Sequence, residues 1–377
     1  MIDKIVLFPY YLTLKIRHAM YDHGFIKKRH HVDVPTVCLG NVTVGGTGKT
    51  PHTELIIRTL LESEEWGAKS LAVLSRGYKR SSKGFQQVSA DGSAKVYGDE
   101  PLQIKKKFPV VTVAVDKDRI EGCNFLSHPE TLHSSKKGRK CIDKEVQKAD
   151  LVLLDDAFQY RRLQADVNIV LVDYNRPTFK DMLLPMGSLR DLPERIQKAD
   201  IIIVSKCPHY LSDWEKSSFV DALGLKNYSA EKCTAENKKH VTQGVFFTTI
   251  DYQQPLPVFP TADPRYVYSK KLILFSGIAD DTTLRCFLSD KYRIIKRFSF
   301  PDHHTYSKGD VKSIASFSKV NSIAAVATTE KDAQRVLDCT NVPGYLQERL
   351  FYVPIQVGFL SDEDKEMFRT MLISLIP

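Results

Sequence analysis

Six consecutive residues, Gly45-Gly46-Thr47-Gly48-Lys49-Thr50, bring together the groups needed to hold a polyphosphate. Glycines let several backbone N–H groups converge on phosphate oxygens without Cβ clashes. A lysine ammonium can reach the outer phosphates, and a threonine hydroxyl can ligate Mg²⁺. The strict spacing of such a loop wants glycine where Thr43 stands, and Gly45 and Gly46 partly make up for it. The expected nucleotide-binding segment is Thr43, Val44, Gly45, Gly46, Thr47, Gly48, Lys49 and Thr50. It marks a nucleoside triphosphate site without identifying the acceptor.

Other constellations could complete the chemistry. Leu151-Val152-Leu153-Leu154-Asp155-Asp156 ends an apolar run in two carboxylates, an arrangement that holds an acid rigidly beside Mg²⁺. Gly98-Asp99-Glu100-Pro101 is a turn with two more acids, where Asp99 is either a base or metal ligand or simply a solvated turn residue. Phe300-Pro301-Asp302-His303-His304 is either a polar surface with Asp302 capping the next helix, or one histidine offered to an acid across a cleft. Arg76 and Arg190 follow strand-like runs, where guanidinium groups suit phosphate recognition. No Asp-x-x-Gly follows Asp155, and Ser205-Lys206-Cys207-Pro208 lacks the aspartate that reads guanine, which favours ATP.

These groups need strands to carry them. Apolar runs at 36–39, 71–75, 110–115, 151–154, 168–172 and 201–204 are continuous rather than alternating, the pattern of parallel strands buried on both faces. The expected fold is α/β, a P-loop NTPase core with a mostly parallel sheet, the ligand lying at the carboxyl ends of the strands. The polar stretch 212–239 reads as a connection between lobes. Runs at 244–250, 272–276, 323–328 and 350–357 then read as a smaller α/β lobe. The expected organisation is an N-terminal amphipathic helix over residues 1–30, a core over 31–240 and a C-terminal lobe over 241–377.

In the first segment Leu12, Ile16, Ala19 and Met20 share one helical face, flanked by aromatics and by Lys15, Arg17 and Lys27-Lys28-Arg29. Two readings stand: an interfacial membrane anchor, or a helix packed on its own domain. No apolar stretch approaches the roughly 20 residues of a membrane span, and no secretory leader is expected. The net charge of +9 suits phosphates, nucleic acid or an anionic membrane. Seven scattered cysteines, without a CxxC pair, suit a reducing cytoplasm and argue against structural zinc or a disulfide framework.

Together the segments 40–51, 74–78, 98–101, 155–161, 184–190, 300–304 and 329–333, in that order, make the chain resemble the tetraacyldisaccharide 4′-kinase family. The resemblance implies ATP-dependent transfer of a γ-phosphoryl group to the 4′-hydroxyl of a tetraacylated glucosamine disaccharide 1-phosphate, in lipid A biosynthesis. It implies a dyad of Asp99 and His303, with Asp99 taking or directing the hydroxyl proton and Lys49 stabilising the migrating charge. It further implies Thr50, Asp156 and Asp155 around Mg²⁺, Glu100 as a secondary metal or substrate candidate, and Arg76, Arg190 and Asp191 near substrate. Asp191 stands where the family usually has glutamate. A lipid substrate and a peripheral place on the cytoplasmic face of the inner membrane follow from the same resemblance, with no nucleic acid and no obligate protein partner. Two rivals share the loop. A switch or partitioning ATPase would want a second lysine where Val44 stands, and a kinase for a soluble sugar would leave the aromatic, basic N-terminus without a use.

Overall fold

The computed structural model describes residues 2–25, 30–302 and 304–377. His303 and the basic run Lys27-Lys28-Arg29 lie outside the described residues.

Strands are numbered in chain order. One sheet runs, side by side, Gln86–Gln87 (β3), Thr112–Val115 (β4), Leu71–Ser75 (β2), Leu151–Asp155 (β5), Thr36–Asn41 (β1), Val167–Asp173 (β6), Ile201–Ser205 (β7), Thr242–Tyr252 (β10), Thr234–Glu236 (β9) and Lys226–Ser229 (β8). Ile355–Phe359 (β16) pairs with the far half of β10. From β4 to β10 every pairing is parallel. β1, β2, β5 and β7 are buried throughout, which is why they read as unbroken apolar runs rather than alternating ones. The second sheet runs Leu256–Pro257 (β11), Leu350–Val353 (β15), Ala325–Thr329 (β14), Lys271–Ser276 (β12) and Arg293–Ser299 (β13). The mixed α/β class with a largely parallel central sheet is therefore as expected.

Three parts of the sequence reading need correction. The run 244–250 belongs to the large sheet, paired in parallel with β7, and not to the second lobe. The stretch 212–239 is not a connection. Ser212 and Glu215 form a capping box that starts the helix Asp213–Ala222, and β8 and β9 then extend the large sheet. The run 350–357 is two strands broken at Pro354, which has no N–H to give a ladder, and the halves join different sheets. The chain thus leaves the large sheet along β10 and returns along β16. Its last helix, Asp362–Leu375, buries Phe368 and Leu372 beside Phe246 and Ile56 of the first core.

The helix Ile2–Asp22 docks by one face, with Leu14 buried and Leu7, Tyr10 and Tyr11 packed on the core. Its end is held by Asp22, which pairs with Arg161 at 2.9 Å and Lys198 at 3.8 Å. The opposite face leaves Phe8, Leu12, Ile16 and Met20 exposed. Among the described residues no helix is long and apolar enough to cross a membrane.

Candidate active site

β1 lies between β5 and β6, so the loop that follows it and the acids that end β5 come out at the same edge of the sheet. The loop turns through left-handed backbone at Gly45, Gly46 and Gly48, with φ of 71°, 53° and 83°. Only glycine reaches such values without strain, which explains the sequence there. Gly48 ends the turn and Lys49 opens the helix Lys49–Leu61, whose N-terminal amides and dipole favour an anion. His52 fastens this turn. A carbonyl only accepts, so Nδ1 donates to Gly48 O at 2.7 Å, and Nε2 accepts from the Thr248 hydroxyl at 2.9 Å. Burial pushes the His52 pKa down to about 4, which keeps the ring neutral.

The lead-in to the loop is zipped to a second segment, 181–191. Thr43 bridges Leu189, Val44 N–H donates to Ser188 O at 2.7 Å, and Arg190 N–H donates to Val42 O at 2.9 Å. Thr43 is thereby a buried bridging residue, and its φ is not positive, so no glycine is needed at that position. The zipping delivers Arg190. Its Nη2 donates to Asp156 Oδ1 at 2.5 Å and to Asn41 Oδ1 at 2.6 Å. Lys49 Nζ lies 3.8 Å from Asp156 Oδ1 and 3.5 Å from Asn41 Oδ1. Lys49, Arg190, Asp156 and Asn41 thus meet at the mouth of the loop, and the buried Arg190 Nε has no hydrogen-bond partner among the described residues. Asp156 itself sits at φ 48°, a strained position for a non-glycine residue.

Asp155 points the other way. Its Oδ1 accepts from Thr53 at 3.2 Å and its Oδ2 from Ser75 at 3.1 Å. Burial first, and then the charges of Glu100 and Asp156, raise its pKa to about 6. Asp156 is held below the usual carboxylate range: burial opposes this but is outweighed by Lys49 and Arg190. Thr50 is buried in the first turn of the loop helix. Mutually repelling acids around a phosphate-binding loop are the donor chemistry of a Mg²⁺ site. Thr50, Asp155, Asp156 and Glu100 are the groups that could contribute. Among the described residues no three acids, histidines or cysteines converge into a metal cage. Mg²⁺ takes one or two carboxylates together with phosphate oxygens and waters.

Asp99 and Glu100 open the helix Asp99–Lys107 just after Gly98, whose φ is 98°. The helix Glu330–Leu337 of the second lobe faces them: Arg335 bonds Asp99 and Lys331 bonds Glu100. The same seam carries Lys107, 2.6 Å from Glu54 and 3.4 Å from Glu330. Helix Lys308–Val320 is capped by Ser307, whose Oγ accepts from Asp310 N–H, and not by Asp302. His304 Nε2 donates to Asp310 Oδ2 at 3.0 Å, and its ring stacks on Phe300.

Arg76 follows β2, exposed to solvent and within electrostatic reach of Arg119. Asp191 is not brought to the phosphate-binding groups. It is buried against the N-terminal helix, 2.7 Å from His18 and 3.4 Å from Arg195. The sequence reading missed three residues. Asn41 joins Thr43, Thr47, Lys49 and Arg190 through one amide. Arg119 braces the Asp155 carbonyl at 3.2 Å, and Arg335 holds Asp99. Asn41 stood two residues past the apolar run 36–39, and its place beside the loop, inside the segment 40–51, was the available signal.

A family model described as LpxK, tetraacyldisaccharide-1-P 4'-kinase, matches residues 4–376. Among similar proteins, one named tetraacyldisaccharide 4'-kinase from Parabacteroides distasonis is 34% identical, covering 98% of this chain and 92% of the relative. Others of that name are 34% identical in Phocaeicola vulgatus, covering 96% and 91%, and in Porphyromonas gingivalis, covering 97% and 94%. A crystal structure of LpxK from Aquifex aeolicus in complex with ATP superposes with a TM-score of 0.65 at 24% identity, covering 99% of both chains, and shows the same fold.

Proposed function

The chain belongs to the tetraacyldisaccharide-1-P 4'-kinase family, and from that premise we propose that it transfers the γ-phosphoryl group of ATP to the 4′-hydroxyl of a tetraacyldisaccharide 1-phosphate. The observation that carries this reading is the meeting of Lys49, Arg190 and Asp156 at the mouth of the glycine loop, with Glu100, the neighbour of Asp99 on the seam to the second lobe, within electrostatic reach of Lys49. Phosphoryl transfer needs positioning and charge neutralisation more than covalent help from the protein. Loop amides from Gly45 to Thr50 hold the polyphosphate. Lys49 and Arg190 stabilise charge on the migrating group. Asp99 receives or directs the proton of the sugar hydroxyl, with His303 as its partner from the second lobe. Arg76 is an exposed candidate for a substrate phosphate. Mg²⁺, held by Thr50 and Asp156 with Asp155 behind them, would neutralise phosphate charge. Asp191 acts through the N-terminal helix.

The exposed stripe Phe8, Leu12, Ile16 and Met20 is the surface that would rest on the bilayer and keep the acyl chains beside the site. We place the protein peripherally on the cytoplasmic face of the inner membrane, acting without an obligate protein partner or nucleic acid.

The test is incubation with γ-labelled Mg-ATP and tetraacyldisaccharide 1-phosphate in detergent. Label recovered on the lipid at the 4′ position, and lost in Asp99→Ala, is the expected result. Phosphate released to water with an unlabelled lipid would refute it.

A further inference from the structure

Asp99 is met from the second lobe by a guanidinium that is itself fixed on three sides. Arg335 donates from Nε at 3.0 Å and from Nη2 to the same oxygen, Asp99 Oδ2. Its Nη1 donates to Gly277 O at 3.0 Å and to Asp332 Oδ1 at 2.8 Å. Asp332 is fully buried, and its other oxygen accepts from Thr329 Oγ1 at 2.7 Å and Gly277 N–H at 2.9 Å. The side chains of Arg335 and Asp99 are 9% and 11% exposed. A planar fork clamped by one carboxylate and one carbonyl has a single orientation in which to present its remaining N–H groups. Lys331, one helical turn earlier, meets Glu100 in the same way, so one face of the second-lobe helix addresses both acids of the turn.

A buried ion pair is poor evidence for a contribution to stability, because desolvation offsets the attraction. What this pair does supply is direction. We infer that Arg335 is a positioning residue for the transfer: anchored on Asp332 and Gly277, it fixes the orientation of the Asp99 carboxylate toward the acceptor hydroxyl. Asp99, which opens the helix Asp99–Lys107 and accepts from Glu100 N–H at 3.1 Å through Oδ1, thus has its other oxygen set by a group that the second lobe carries. This rests on the reading of Asp99 given above.

The experiment is a double-mutant cycle on full-length enzyme, with thermal unfolding of each variant recorded alongside. Arg335→Ala should lower kcat by about 10²-fold, within the range that a general base is worth, and leave the KM for ATP unchanged. Arg335→Lys keeps the charge without the fork and guards against a folding failure; it should recover only part of the loss. In an Asp99→Asn background, Arg335→Ala should cost less than about twofold further, because residues acting as a unit are non-additive. An undiminished kcat in both Arg335 variants, or a full additive loss in the Asp99→Asn background, would overturn the inference alone. Undiminished turnover in Asp99→Asn by itself would overturn both this inference and the reading of Asp99.

Discussion

At the scale of single residues, Lys49 carries the clearest expectation. Its ammonium shares Asp156 and Asn41 with Arg190, so removing it leaves Arg190 still holding Asp156 and the loop still zipped to segment 181–191. Lys49→Ala should therefore fold normally yet lower kcat by about 10²–10³-fold, the usual worth of one preorganised group at developing charge. Steady-state kinetics at saturating ATP check this, and a loss below tenfold would remove Lys49 from the charge-stabilising role. Lys49, Thr50 and Asp156 were legible in the sequence because loop and strand-end motifs are local. Asn41 and Arg335 were not, since their partners Arg190 and Asp99 lie 149 and 236 positions away. No local pattern encodes a contact made only by folding. Asp191 shows the same limit, because its motif position gave no sign that its carboxylate meets His18 of the N-terminal helix.

Among the elements, the N-terminal helix docks on the core by one face and leaves the apolar face that the anchor reading requires open on the other. Leu14 is buried and His18 reaches Asp191, while Phe8, Leu12, Ile16 and Met20 follow one another at every fourth residue on the outside. Leu12, Ile16 and Met20 could be read as one stripe from helical spacing alone; that Leu7, Tyr10, Tyr11 and Leu14 form a second, docking face could not, because they mix with the first at adjacent positions. Replacing Phe8, Leu12, Ile16 and Met20 together by Ser or Gln should cut sedimentation with anionic vesicles by at least tenfold, each buried side chain being worth about 1.5–3 kcal/mol when moved from water. Binding equal to that of the unaltered protein would show that the stripe does not reach the bilayer. The buried parallel strands were legible for a different reason: buried on both faces, they read as continuous apolar runs. Segment 212–239 was misread because its polar composition outweighed a two-residue capping signal.

Over the whole molecule, the seam between the sheets is charged, and one group in it titrates near neutrality. Glu330 has its pKa raised to about 7, by burial first and then by the charge of Glu54, with Lys107 only partly compensating. A carboxyl whose folded pKa lies above its unfolded value holds a proton that the unfolded chain releases. Its contribution is therefore fully present below about pH 4.5 and is lost as pH rises through 7. Glu330→Gln, which cannot ionise, should stabilise the protein by about 1–3 kcal/mol at pH 8 and change little at pH 4.5. Urea unfolding at the two pH values would show it. Equal or lower stability at pH 8 would mean that Lys107 satisfies both acids.

The two crossings between the sheets lie side by side: Thr248 to Tyr252 of β10 pair antiparallel with Phe359 to Ile355 of β16, and Tyr252 stands opposite Ile355. Topologically the second lobe is an insert, spliced into what would otherwise be the tip of a hairpin. Excising residues 253–354 and joining the cut ends through Asn-Gly, a turn that closes adjacent antiparallel strands, should give a shortened chain that folds on its own, since the last helix packs entirely on the first core. Such a chain should keep its grip on ATP and have nothing to do with it, having lost the helix that meets Asp99 and Glu100.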